Sequence, residues 1–228
     1  DGLGLGAPAG QPIGVSQRGK HTRVPLRERD RAIDLGDRLL ILALLDQRLP
    51  DPQVRPIESG IRFARLLKTA NRLVVPLFQR PYVWNEENQW EPLWNDLVRV
   101  ADRFLAEPQG RHQPHFLGAV VLQQTPSPTG LMQERTIIDG QQRLTTLQIL
   151  LDALHIELLA AGAVAPALRI EPLVTNAAPF RSHPEDQFKV WPTNRDRPAF
   201  NAVMGAEPPL DYRSMGFAGE RMIEAHRY

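Results

Sequence analysis

Asp139, Gly140, Gln141, Gln142 and Arg143 are five consecutive residues whose types can do chemistry together. They lie inside RTIIDGQQRLTTLQILLDAL, Arg135 to Leu154, where a β-branched apolar run gives way to a helical pattern. Glycine at 140 permits a tight turn and the close approach of another backbone. The first turn of the helix that follows has unpaired N–H groups and the positive end of the dipole, so it attracts anions. Arg143 adds a planar fork that matches phosphate. Gln141 and Gln142 can donate to a phosphate or orient a water. Asp139 is too close to such an anion to be a simple binder. It suits a magnesium ligand, directly or through water, or an acceptor for a sugar hydroxyl. A plain structural reading stands beside this one: Asp139 caps the helix and Arg143 pairs on the surface. The motif alone does not choose between them. No Gly-x-x-x-x-Gly-Lys-Ser/Thr loop occurs in the chain, so a nucleotide site here is not of the P-loop kind.

Two further clusters carry similar side chains. In PLFQRPYVWNEENQW, Pro76 to Trp90, Gln79 and Arg80 close a strand and Pro81 forces an extended turn. Tyr82 and Trp84 follow with period two and can face one side. Together they can form a platform for a base or sugar, or they are ordinary core aromatics with a polar tip. In WPTNRDR, Trp191 to Arg197, Asn194 can cap a short helix, and Arg195 and Arg197 can bind phosphate or pair with acids.

These clusters need elements to hold them. Leu144, Leu147, Leu151, Leu154 and Leu158 follow the spacing of an amphipathic helix, predicted over Gln141–Ala161 with Gly162 as its C-cap. Ile137 and Ile138 are expected to continue that core into a strand. Upstream, the pattern predicts a helix over Glu58–Ala70, with Ile61, Leu66 and Leu67 inward, and a strand over Leu73–Phe78, which Pro76 places at an edge or bulge. A helix over Glu86–Leu105 turns Trp90, Leu93, Leu97, Val100 and Phe104 to one side. The runs FLGAVVLQ and RTIID read as strands joined across TPSPTG. A short strand in FKVWPTN, a short helix in RDRPAFNAVMG and a helix from Gly219 to Tyr228 complete the pattern.

The first 25 residues are rich in Gly and Pro, and GLGLGAPAG has neither the preceding strand nor the following helix of a dinucleotide fingerprint. Arg18, Lys20, His21, Arg23, Arg27, Arg29 and Arg31 form a basic run, either a solvated face or a contact to a phosphate backbone. Leu35, Leu39, Leu42 and Leu45 predict a helix over Arg27–Arg48, and three prolines between Leu49 and Pro56 then mark a boundary. This divides the chain into a basic helical extension (1–54), a globular domain (55–211) and the start of a helical C-terminal region (212–228). The chain starts at Asp1, not Met, and is expected to be a piece of a longer protein.

Composition removes several classes. With 27 basic and 26 acidic side chains the net charge is +1, so any nucleic-acid surface is local rather than global. There is no cysteine, which excludes disulfides, zinc ribbons and thiol nucleophiles. No apolar run approaches the roughly 20 residues of a membrane span and no signal sequence is visible, so a soluble cytoplasmic location is expected. His112, His115 and His155 form no nuclease motif.

Taken together, VPLFQRPYVW, HFLGAVVL, IIDGQQRLTTLQILLDAL and KVWPTNRDRPAF resemble the DGQQR-motif family, the N-terminal domain type of the GmrSD modification-dependent restriction enzymes and of SspE-type phosphorothioate-sensing defence proteins. The resemblance covers about Ile57 to Gly205. It implies a mixed α/β (α+β) fold like that of ParB and sulfiredoxin, and NTP binding and hydrolysis with Mg2+, GTP foremost, in antiphage restriction. It further implies modified double-stranded DNA as a partner, and a C-terminal nuclease domain of the same protein that these residues do not contain. By the same resemblance, Asp139, Gln142 and Arg143 are the catalytic set. Gly140, Gln141, Arg143, Thr145, Gln79, Arg80, Asn194 and Arg197 bind nucleotide. Arg80, Pro81, Tyr82 and Trp84 line the DNA-sensing surface, and Asp139 holds the metal. Two other readings remain: a DNA-binding module that nucleotide regulates without hydrolysis, and a direct nuclease using Asp139. The last is the weaker, because one acid is a poor metal site and Glu134 would have to be brought round the strand.

Overall fold

Apolar, β-branched segments become the strands and the leucine-rich segments become the helices that cover them. The computed structural model describes residues 63–108, 110, 115–127 and 131–228. The glycine-rich start, the basic run, the helix expected over Arg27–Arg48, the proline-rich boundary, Ile61 and His112 lie outside the described residues. Helix α1 (Phe63–Lys68) leads into strand β1 (Asn71–Val74). A single π-helical turn, Glu86–Trp90, opens directly into α2 (Glu91–Ala106). Strands β2 (Val121–Gln124) and β3 (Gln133–Asp139) follow, then α3 (Gln141–Ala160) and α4 (Val164–Val174). Strand β4 (Val190–Trp191), α5 (Arg197–Met204) and α6 (Arg221–Arg227) complete the fold. The sheet has the order β2-β3-β1-β4, with β1 parallel to β3 and β4, and β2 antiparallel to β3. This is the expected mixed α/β class.

Two cores hold these layers together. Beneath the sheet, Leu73, Ile137 and Val190 meet Leu67 of α1, Leu144 of α3 and Leu173 of α4. A second core joins α3 to α5 and α6 through Ile149, Phe200 and Ile223. Burying one such side chain contributes about 1.5–3 kcal/mol, so packing rather than helix propensity decides where α3 lies. Its end follows local chemistry. Gly162 adopts φ +76 after the C-cap Ala161, while Ala163 N–H bonds to Leu158 C=O at 2.8 Å and Gly162 N–H to Leu159 C=O at 3.0 Å. That crossed pair is the Schellman ending that the glycine predicts.

Four expectations need correction. Strand β1 is central, not at an edge, and it ends at Val74, because Pro76 has no N–H to continue the ladder. Its last sheet bond is Val75 N–H to Trp191 C=O at 2.9 Å. Only the second half of FLGAVVLQ is strand, since Gly118 at φ +98 departs from an extended backbone. Ile138 is 42% exposed while Ile137 is fully buried, as strand alternation requires of neighbours. Helix α3 is not amphipathic: Thr145, Thr146, Gln148 and Asp152 are buried along with Leu144, Leu147, Leu154 and Leu158, because it lies between the two cores.

Candidate functional site

The turn from β3 into α3 is set by one glycine. Gly140 is the N-cap of α3 with φ +93, a left-handed backbone costly for any side chain, and a Cβ there would come within 2.9 Å of Val120 Cγ2. Asp139 accepts the Gly140 N–H at 2.8 Å and is otherwise exposed. Leu144 N–H is the first to bond back into the helix, onto Gly140 C=O at 3.0 Å. The N–H groups of Gln141, Gln142 and Arg143 have no partner among the described residues.

The two glutamines face inward. Gln142 Nε2 donates to Pro81 C=O at 3.0 Å and its Oε1 accepts from Val83 N–H at 2.8 Å, as a neighbouring strand would. Gln141 Nε2 donates to Arg80 C=O at 3.0 Å and to Gln79 Oε1 at 3.3 Å. Gln79 Nε2 in turn donates to Ile138 C=O at 3.1 Å. Three amides therefore fasten residues 79–83, which have no sheet partner, to the β3–α3 joint. The third cluster is attached to the second: Asp196 Oδ2 accepts Tyr82 N–H at 3.0 Å and the Thr193 hydroxyl at 2.6 Å.

Arg143 faces the other way. Its Nη1 donates to Ala119 C=O at 2.9 Å, and it makes no ion pair among the described residues. The surface pairing of the structural reading is thus not formed among the described residues. Neither is the cap assigned to Asp139, whose position is taken by Gly140, nor the cap assigned to Asn194, which is exposed beside the N-cap Asp196.

Tyr82 and Trp84 do share a side, but it is the core side. The Tyr82 ring is only 7% exposed, so it is not a platform that a base can reach in this structure. Its hydroxyl shares a hydrogen bond with Thr146 Oγ1 at 2.6 Å and accepts Trp90 Nε1–H at 2.9 Å, while Thr146 donates to Gln142 C=O at 2.8 Å. Burial pushes the Tyr82 pKa up to about 12, against the opposing pull of its bonds to Thr146 and Trp90. Thr145 is buried within α3. Arg197 stacks 5.0 Å from the Trp191 ring centroid and donates to Pro192 C=O at 3.1 Å, and burial lowers its pKa. The Arg80 side chain is exposed and unpartnered among the described residues.

A family model described as the N-terminal domain of the GmrSD restriction endonuclease matches residues 63–217. The chain belongs to that family. No curated protein matches it. Membership makes this GmrSD-type N-terminal domain part of a restriction protein, a class that acts on DNA. No helix among its described residues is long and apolar enough to cross a membrane.

A cavity of about 360 Å³ lies between Asn85–Trp90 and α6, and another of about 190 Å³ beside Arg72 and Glu134, so neither borders Asp139. Glu134 bonds to Arg72 across the sheet and does not join Asp139. No group of three or more His, Asp or Glu residues surrounds a metal position among the described residues. A magnesium ion on Asp139 would therefore draw its other oxygens from phosphate and water, as Mg2+ commonly does. The exposed carboxylate fits that arrangement and no protein-only cage. Gly118, Ala119 and Thr146 were not singled out from the sequence, and Asp196 entered only as a member of WPTNRDR, with no role of its own. Only Gly118 left a signal, as a glycine interrupting an apolar run.

Proposed function

We propose that this domain binds and hydrolyses a nucleoside triphosphate, GTP foremost, as the sensor of a modification-dependent antiphage restriction protein. The observation that carries this reading is the Arg143 guanidinium: among the described residues it is bonded only to a backbone carbonyl, at a helix start with free N–H groups, beside an exposed acid. An unneutralised cation in that place favours an anion. In the proposed reaction a water attacks the γ-phosphorus in line as the bond to the bridging oxygen breaks, giving nucleoside diphosphate and phosphate. Arg143 and the α3 N-terminus stabilise the developing charge. Asp139 orients the water or holds Mg2+, which when bound neutralises phosphate charge. Both polar ends of the Gln142 amide already bond to backbone, so its contribution is to hold Pro81–Val83, not to position the water. Arg80 is the residue of that segment offered to modified DNA, with Tyr82 and Trp84 supporting it from the core side. The weaker preference for a phosphorothioate backbone as the modification rests on the family resemblance.

One observation favours the second reading, a DNA-binding module that nucleotide regulates without turnover: with Gln142 engaged, Asp139 is the one acid of the motif. Phosphate release from ATP, GTP, CTP and UTP with magnesium, with and without modified DNA, separates the two. Arg143→Ala is expected to lower release by about 100- to 1,000-fold, the scale of losing one charge-stabilising donor, with the unfolding midpoint kept. Nucleotide binding without product in the wild type would establish the second reading.

A further inference from the structure

We infer that Gly118 is a positioning residue for Arg143, through a backbone rest formed by Gly118 and Ala119; this deepens the nucleotide reading and rests on it. Three observations converge. Gly118 has φ +98, outside the range that side chains accept readily. A Cβ on Gly118 would lie within 2.7 Å of both terminal nitrogens of Arg143, so the guanidinium covers this residue at a distance only glycine allows. The next carbonyl, Ala119 C=O, receives Arg143 Nη1 at 2.9 Å. The same segment continues over Gly140, where Val120 fills the space that a second Cβ would need, and Val121 pairs with Asp139. Residues 118–120 thus fit against both Arg143 and Gly140, and one carbonyl and one missing methyl set where the free edge of Arg143 points. A side chain at 118 would meet the flexible end of Arg143 rather than fixed backbone, so displacement of the guanidinium, not unfolding, is the expected response.

Asparagine tolerates the left-handed backbone better than other residues with a Cβ, so Gly118→Asn is the informative variant. Two measurements are made on the whole chain: the rate at which an arginine-selective dicarbonyl labels Arg143, read by peptide mass spectrometry with Arg80 as internal reference, and phosphate release. We expect labelling of Arg143 to accelerate several-fold while Arg80 is unchanged. Turnover should fall by about 10- to 100-fold, as a misplaced charge predicts. Gly118→Asn combined with Arg143→Ala should be no slower than Arg143→Ala alone, since residues acting through one group are not additive. Unchanged labelling, or a double variant that loses both effects in full, overturns the inference. If the wild type releases no phosphate but labelling still shifts, the positioning stands and the nucleotide reading falls.

Discussion

The two halves of α3 treat charge in opposite ways. At its start, Arg143 and Asp139 bond only to backbone groups among the described residues. Midway along, Asp152 is buried and bonded to His226 Nε2 of α6 at 3.0 Å, and His226 Nδ1 meets the Tyr212 hydroxyl at 2.8 Å. Each ring nitrogen of that histidine has a partner, and its side chain is fully enclosed. The middle of the helix is thus a fastening between α3 and α6. The start is an arrangement with polar capacity left over. Ionised residues enclosed by protein need partners, whereas a charge without one at a surface is available to a ligand. Within the motif the same division recurs between neighbours: Gln141 and Gln142 bond to residues 79–83, while Arg143 has one backbone carbonyl and no acid partner among the described residues.

The largest effect tests the fastening. His226→Ala removes one partner from a buried Asp152 and is expected to cost about 3–5 kcal/mol of unfolding free energy, read from urea denaturation. Arg143→Ala should cost far less in the same experiment despite its loss of turnover. Equal destabilisation by the two would erase the contrast between the halves. Next in size is Gln142→Ala, which strips partners from Val83 N–H and Pro81 C=O. A loss of about 1–3 kcal/mol is expected, with faster amide exchange confined to residues 79–83. Were exchange there unaltered, the clamp assigned to Gln142 would be wrong.

The smallest effect is a pH dependence. Burial lowers the Lys189 pKa to about 8, and among the described residues its Nζ has only Thr69 C=O at 3.2 Å as partner. The folded state therefore gives up this proton before the unfolded state does, so the destabilisation is full below pH 8 and is relieved as pH rises toward the ordinary lysine range. Burial raises Tyr82 and Tyr212, one in each half of the comparison, to about 12. Both keep their protons when the unfolded chain has lost them, so stability falls as pH climbs from 10 toward 12. The unfolding midpoint should rise between pH 8 and 10 and decline beyond it. In Lys189→Met the rise should vanish, and in Tyr212→Phe the decline should be shallower. A profile identical in all three proteins would contradict these assignments.

Much of the frame was legible because it depends on local rules. Periodic leucines marked α3, Gly162 marked its end, and a β-branched run marked β3, whereas the strand expected over Leu73–Phe78 shares only Leu73 and Val74 with β1. The misreadings came from properties that belong to pairs of segments. Ile138 looked like core because composition does not say which face of a strand is covered. Pro76 looked like an edge marker because the strand's neighbours are distant in sequence. Tyr82 and Trp84 were correctly placed on one side, but the sequence could not tell a core side from a ligand side.

The sequence by itself determined that an acid, a glycine, two amides and an arginine stand where a strand becomes a helix, since φ/ψ preference and hydrophobic spacing act over a few residues. Only the tertiary structure decided what each side chain does there. Whether an amide is free or engaged depends on which backbone lies opposite it, and here that backbone belongs to Pro81 and Val83, about sixty residues away in the chain. Among the described residues Arg143 has no acid partner, because the segment beside it offers a carbonyl and a glycine.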